Sequence, residues 1–201
     1  MNRILMKTAT VFLIEFIVIL PLVITFNCDR SSDHQNEMTF RVDKSLLAEK
    51  FVDRELGFEF IPPKDLLKVP ADVLTDVRDQ LPLTDFFQII PRQVFLAEQS
   101  EFVCIISWLP ELIYSDSSII SYQRAVKSQT SNGEIRQTSF LYNGFRIYQT
   151  LIISDDVVNF KLLIPQPDKK SFQIDYIIPK NIYIEKIEAI ESSIGSIKRK
   201  K

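Results

Sequence analysis

The sequence has few of the residues that enzymes commonly use to handle protons, metals and phosphates. Its 201 residues include one histidine, two cysteines and four glycines. A serine or cysteine hydrolase of the common kind needs an imidazole to take the proton from its nucleophile. The single histidine, His34, lies in a polar stretch with nothing to hold it in place, and it reads as a solvated side chain. One histidine and two thiols build no zinc site of familiar spacing. The glycines at 57, 133, 144 and 195 are isolated, which excludes the glycine-rich loops whose backbone amides cradle phosphates. Lys and Arg total 24 against 26 Asp and Glu, and a net charge of -2 supplies no positive field for nucleic acid.

The N-terminus carries the strongest positive signal. Arg3 and Lys7 precede an apolar run from Val11 to Phe26 that stops just before Cys28. A basic head, an apolar stretch of about 7 to 15 residues and a processing site make a secretory signal. Phe16 to Phe26 supplies the stretch, interrupted only by Pro21 and Thr25. Glu15 weakens the signal, since a carboxylate at the bilayer centre costs about 2 to 3 kcal/mol. Met1 and Met6 are both usable starts, the second giving a shorter signal. Ile24-Thr25-Phe26-Asn27-Cys28 resembles a relaxed lipobox, the motif at which bacteria attach diacylglycerol to a cysteine and then cleave before it. Thr25 and Asn27 stand where the strict motif has Leu and Gly or Ala.

This reading makes residues 1–27 a signal peptide, Cys28 the site of lipid attachment and residues 28–42 a polar tether. It places the chain at the cell envelope, on the extracytoplasmic side of a bacterial membrane. Two palmitate-like chains suffice for stable anchoring, at about 0.8 kcal/mol per buried methylene. The competing readings are an uncleaved transmembrane helix, a plain secretion signal that leaves Cys28 as a thiol, and a core helix. A spanning helix wants about 20 apolar residues, and Glu15 leaves fewer.

Residues 43–201 are of ordinary domain size and composition, so one domain is expected. Helical spacing marks three segments: Asp43 to Asp53, Pro70 to Leu81 and, capped by Ser117 or Ser118, a stretch reaching Ser128. In the last of these Ile119, Ile120, Tyr122 and Val126 form the inner side. Strand patterns run over Leu56–Ile61, Gln93–Glu98 and Glu101–Leu109, the latter two joined by Gln99-Ser100, and a short apolar piece from Phe86 to Ile90 is closed by Pro91. Four more strands follow at Ile135–Tyr142, Phe145–Ser154, Val157–Ile164 and Ser171–Ile178. Asn143-Gly144 between the first two is the strongest short hairpin signature. Ile187, Ile190, Ile194 and Ile197 then give one face of an amphipathic helix from Asn181 to Lys198. The order predicts an α+β domain, an antiparallel meander whose buried face is covered by helices, the C-terminal amphipathic helix above all.

Gly57-Phe58-Glu59-Phe60-Ile61-Pro62-Pro63, the long meander and the closing helix with Ile190-Glu191-Ser192-Ser193-Ile194 resemble the PsbP-like family, DcrB-like lipoproteins included. That resemblance, from about Leu56 onward, implies an antiparallel sheet sandwiched by helices and a non-catalytic binding or assembly role. It transfers no catalytic residue.

The remaining chemistry-bearing residues have plain structural readings. Cys104, within Phe102-Val103-Cys104-Ile105-Ile106, reads as an apolar filler in a buried strand. Asp155-Asp156 reads as a turn, Glu185, Glu188 and Glu191 as a solvated helix face, and Lys198 to Lys201 as a solvated tail. Gly195 marks close packing of the last helix on the sheet. Strand parity puts Phe140 with Tyr142, and Phe172 with Tyr176, on shared faces. Such a face left uncovered becomes an interaction patch or an apolar groove. The expected function is therefore a binding or assembly module with no enzyme activity, cofactor or metal. Its partners are the membrane, through the lipid, and a protein. The rival is a carrier of an apolar small ligand held between sheet and helix, which requires a cavity above about 300 Å3 lined by meander aromatics.

Overall fold

The computed structural model describes residues 38–70, 74, 87–130, 133–167 and 169–200. The expected signal peptide, Cys28, His34, the tether as far as residue 37 and most of the helix expected from Pro70 to Leu81 lie outside them. Leu74 is helical, and its N–H donates to the Pro70 carbonyl at 3.2 Å.

In chain order the strands are β1 (Phe51–Asp53), β2 (Phe58–Phe60), β3 (Leu66–Lys68), β4 (Ile90–Ala97), β5 (Val103–Trp108), β6 (Glu134–Tyr142), β7 (Phe145–Ile153), β8 (Val157–Ile164), β9 (Phe172–Pro179) and β10 (Lys198–Arg199). Helix α1 (Asp116–Gln129) precedes the meander, and α2 (Tyr183–Gly195) follows it. The main sheet has the order β3-β4-β5-β9-β8-β7-β6 and is antiparallel throughout. A smaller sheet has the order β1-β2-β10. The expected α+β architecture is the one observed.

Alternation decides the two faces. From β9, Phe172, Ile174, Tyr176 and Ile178 join the large core, which Phe58 and Phe60 of the small sheet, Ile190 and Ile194 of α2 and Ile197 between α2 and β10 close. Phe58 stacks on Phe172 with ring centroids 4.2 Å apart. Burying Ile190 and Ile194 in α2 contributes about 1.5 to 3 kcal/mol each. On the opposite face, Tyr122 and Val126 of α1 pack with Leu109, Leu112 and Leu163. The strand pair β6–β7 turns at Asn143-Gly144, where φ is 47° and 76°, the positive values that such a turn demands.

Several local expectations are corrected. Asp43 to Asp53 is not a helix. Asp43 caps a single 3-10 turn over Lys44–Leu46, and Phe51–Asp53 is a strand paired with β2. Packing of Phe51 against Phe58, Phe60 and Phe95 overrides the local pattern. Pro91 does not end its segment but sits inside β4, beside a register shift between Pro91 and Gln93. A proline is tolerated at such an irregularity, where the ladder is already interrupted. The hairpin loop between β4 and β5 is longer than Gln99-Ser100, since the Ala97 N–H already donates to the Phe102 carbonyl at 3.1 Å.

Ser115, not Ser117 or Ser118, caps α1 by accepting from the Ser118 N–H at 3.2 Å. Ile120 faces outward, and Ala125 takes the inner place expected for it. The chain also leaves helix α2 at Gly195. The Lys198–Arg199 segment, expected as a solvated tail, is a strand on β2, with the Arg199 guanidinium 4.6 Å from the Phe145 ring centroid. Gly195 packs closely, but on the segment before the domain rather than on the sheet: a Cβ there would lie 2.6 Å from Phe40 Cβ. Residues 38–42 of the expected tether therefore lie against the domain, and Met38 N–H donates to the Leu141 carbonyl at 3.0 Å.

Candidate functional site

The antiparallel register brings several loops to one end of the main sheet. β5, β6 and β8 finish there, and β7 and β9 begin there. The loop after β5 meets the loop before β9, and hydrogen bonds staple them together. Leu109 N–H donates to the Ser171 carbonyl at 3.0 Å, and Ser171 Oγ donates to the Leu112 carbonyl at 3.0 Å. Gln166 Nε2 donates to the carbonyls of Leu56 and Lys170, both at 2.8 Å. The first two bonds join the two loops, and Gln166 braces the second loop internally and against the turn before β2.

The platform borders an open cleft of about 570 Å3, whose lining includes Trp108, Ile113, Tyr114, Lys169 and Lys170. Leu112 is anchored beneath α1, so the next two side chains project outward: Ile113 is 73% and Tyr114 43% exposed. Lys170 Nζ sits 3.9 Å from the Trp108 ring centroid and also pairs with Glu55. Arg92 Nη2 holds the same carboxylate at 2.6 Å, and the hydrogen bond and the two cations keep the Glu55 carboxyl below its usual range. Trp108 Nε1 is buried without a partner among the described residues. Arg146, the second residue of β7, lies at this end, where its charge works against the desolvation that pushes the Tyr148 phenol up.

A second polar constellation lies between α1 and the sheet. Tyr122 Oη donates to Gln173 Oε1 at 2.6 Å, Gln173 Nε2 donates to Asp175 Oδ2, and Lys161 Nζ donates to Asp175 Oδ1 at 3.1 Å. Burial first, and the Asp175 charge second, push the Tyr122 phenol well up. The adjoining cavity of about 30 Å3 has room for roughly one water. This chain of groups joins helix to sheet and admits no organic substrate.

No protein-family model matches the chain, and no curated protein matches it in sequence. Among solved structures, the chain is similar to the solution structure of cyanobacterial PsbP (CyanoP) from Synechocystis sp. PCC 6803. Identity is 12%, the TM-score is 0.49, and the match covers 75% of this chain and 91% of that one. A likeness at that level assigns no role to any residue.

The lipid-attachment residue Cys28 lies outside the described residues. Cys104 is fully buried, and desolvation pushes its thiol well up, as a core filler requires. Asp155 and Asp156 are exposed in the turn from β7 to β8. Of the glutamates on the last helix, Glu185 pairs with Lys186 at 2.7 Å. Phe140, Phe172 and Tyr176 are buried against each other's neighbours rather than left as an open face. Among the described residues no cluster of three His, Cys, Asp or Glu side chains is placed to hold a metal, and no helix is long and apolar enough to cross a membrane. Sequence reasoning missed the Ile113-Tyr114 platform because a short apolar pair in a loop gives no periodic signal. The neighbouring Lys169-Lys170 pair was the one available cue.

Proposed function

We propose that the chain is a bacterial envelope lipoprotein, held by diacylglycerol on Cys28, whose α+β domain serves as a non-catalytic binding or assembly module. Support for the anchor comes from Arg3, Lys7, the apolar run to Phe26 and the lipobox-like approach to Cys28. For the binding role, one observation carries the reading. The interior is closed by packed rings, and the exposed apolar side chains Ile113 and Tyr114 stand together on a loop pinned by hydrogen bonds. A rigid apolar tip beside ammonium groups is the chemistry of a contact surface, not of proton transfer.

The carrier alternative asks for a cavity lined by the meander aromatics, and the space it needs is taken up by Phe140, Phe145, Phe160, Phe172 and Tyr176, each at most 8% exposed. The anchor is tested by labelling cells that express the wild type and Cys28→Ser with radioactive palmitate. Label and membrane fractionation are both expected to disappear in the variant, and undiminished labelling excludes Cys28 as the attachment point.

A further inference from the structure

The end of the sheet that carries the platform also receives the chain from its N-terminal side. Met38 bonds Leu141 at the foot of β6, and Trp108 ends β5 on the same side of the sheet. Four strand spacings of about 4.8 Å separate β6 from β5, so the two points are roughly 20 Å apart laterally. The ten residue steps from Cys28 to Met38 reach at most about 35 Å when extended. That reach lets this end of the sheet meet the bilayer that a lipid on Cys28 would enter.

The side chains presented there match that neighbour. Ile113 supplies an exposed aliphatic group, Tyr114 is of the amphipathic aromatic type enriched at bilayer interfaces, and Trp108 lies half-buried beside them under Lys170. Lys169 and Lys170 border the same cleft, and Arg146 is the second residue of β7, which begins at this end of the sheet. Of the nearby acids, Glu55 is engaged by Arg92 and Lys170, Arg92 also faces Asp53 at 3.6 Å, and Asp116 lies in the first turn of α1, where the helix dipole favours it, so among the described residues Lys169 is the lysine of the pair that no carboxylate holds. Among the described residues Glu111 is the exposed carboxylate left on the loop after β5.

We infer that the sheet end bearing Ile113, Tyr114, Lys169 and Lys170 docks on an anionic bilayer surface, the same membrane that Cys28 enters. This rests on the lipoprotein reading. The lipid fixes the distance, and the platform fixes the orientation, so the opposite end of the sheet faces away from the membrane. Each lysine brought to an anionic surface raises the docked population about fivefold, an effect that salt screens.

The chain holds a single tryptophan, at position 108, so its fluorescence reports this end alone. The test uses the full protein extracted from its own membranes and reconstituted into vesicles containing headgroup-nitroxide lipid. One set is phosphatidylcholine, and the other includes phosphatidylglycerol. Trp108 quenching is expected to be at least about twofold greater in the anionic vesicles. The excess disappears in Ile113→Asp/Tyr114→Asp, falls in Lys169→Glu, and grows in Glu111→Lys, while co-sedimentation with the vesicles is unchanged in all of them. These positions lie at the exposed platform, and an unaltered urea midpoint verifies that each variant folds.

A protein that sediments with both vesicle types but shows equal quenching overturns the docking and leaves the anchor intact. Failure to sediment overturns the anchor, and the inference with it. Shielding of Trp108 from acrylamide in native membranes but not in vesicles identifies a protein occupant and also overturns it.

Discussion

Replacing Gly195 by alanine in the last turn of α2 tests how the segment before the domain is held. At an unhindered helix position glycine to alanine gains about 0.8 to 1 kcal/mol. At Gly195 the new Cβ lies 2.6 Å from Phe40 Cβ and 2.8 Å from Val42 Cγ2, whereas carbon atoms settle near 3.5 to 4.0 Å. Relief needs a shift of about 1 Å in backbone that is tied at both ends. Met38 N–H is bonded to Leu141, Asp43 N–H donates to Ser192 Oγ at 3.0 Å, and the Phe40 ring meets Tyr142 edge-on at 4.9 Å. Overpacking of this kind costs about 1 to 3 kcal/mol, which outweighs the helix gain and leaves a net loss near 1 kcal/mol. Urea unfolding followed by Trp108 fluorescence measures it. In a Phe40→Gly/Val42→Ala background both clashing atoms are gone, and the same substitution is expected to stabilise by up to about 1 kcal/mol, a coupling of roughly 2 kcal/mol. A wild-type background stabilised by Gly195→Ala refutes the reasoning.

Three further outcomes follow from the buried polar groups and the hairpin. Ser193 Oγ bonds both Tyr176 Oη at 2.8 Å and the Ile61 carbonyl at 2.7 Å, so Ser193→Ala strands Tyr176 Oη and leaves the Ile61 carbonyl with only the long 3.4 Å bond from Ser196 Oγ. It should cost about 2 kcal/mol against about 1 for Tyr176→Phe in paired urea titrations, and the reverse order contradicts the assignment. Burial raises the ionisation of Cys104, Tyr122 and Tyr176 well above their usual values. Their contribution to stability is complete below the unfolded thiol and phenol values, near 8.5 and 10, and is lost as pH rises past them. Midpoints are thus expected to fall above about pH 9, and a flat profile to pH 10.5 sinks the claim. Asn143→Asp keeps a residue tolerant of positive φ but loses the Nδ2 donor to the Ile197 carbonyl at 2.7 Å, for a thermal-melt loss of about 1 to 2 kcal/mol. An unchanged melting temperature would count against that contact.

The meander was legible because its strands are rich in regularly spaced apolar residues and its first two turns carry Asn-Gly and Asp-Asp. The last helix was legible because its isoleucines recur at helical spacing. What escaped the sequence is structure that only tertiary contact creates. Phe51 joins a strand because other phenylalanines surround it, and Lys198-Arg199 pairs with β2 because Ile197 is pulled into the core beneath Asn143. The edge strand β3, three residues long, shows no alternation at all. For the site, residue type pointed to an anchor at Cys28, but the platform arises from loops more than fifty positions apart that hydrogen bonds bring together, as Ser171 does with Leu112.

The most direct measurement of the whole account is the intact mass of the protein extracted by detergent from its native membrane. The expected species begins at Cys28 and carries a diacylglyceryl group on the sulfur. A species that retains residues 1–27, or that begins at or near Cys28 with an unmodified thiol, contradicts the account.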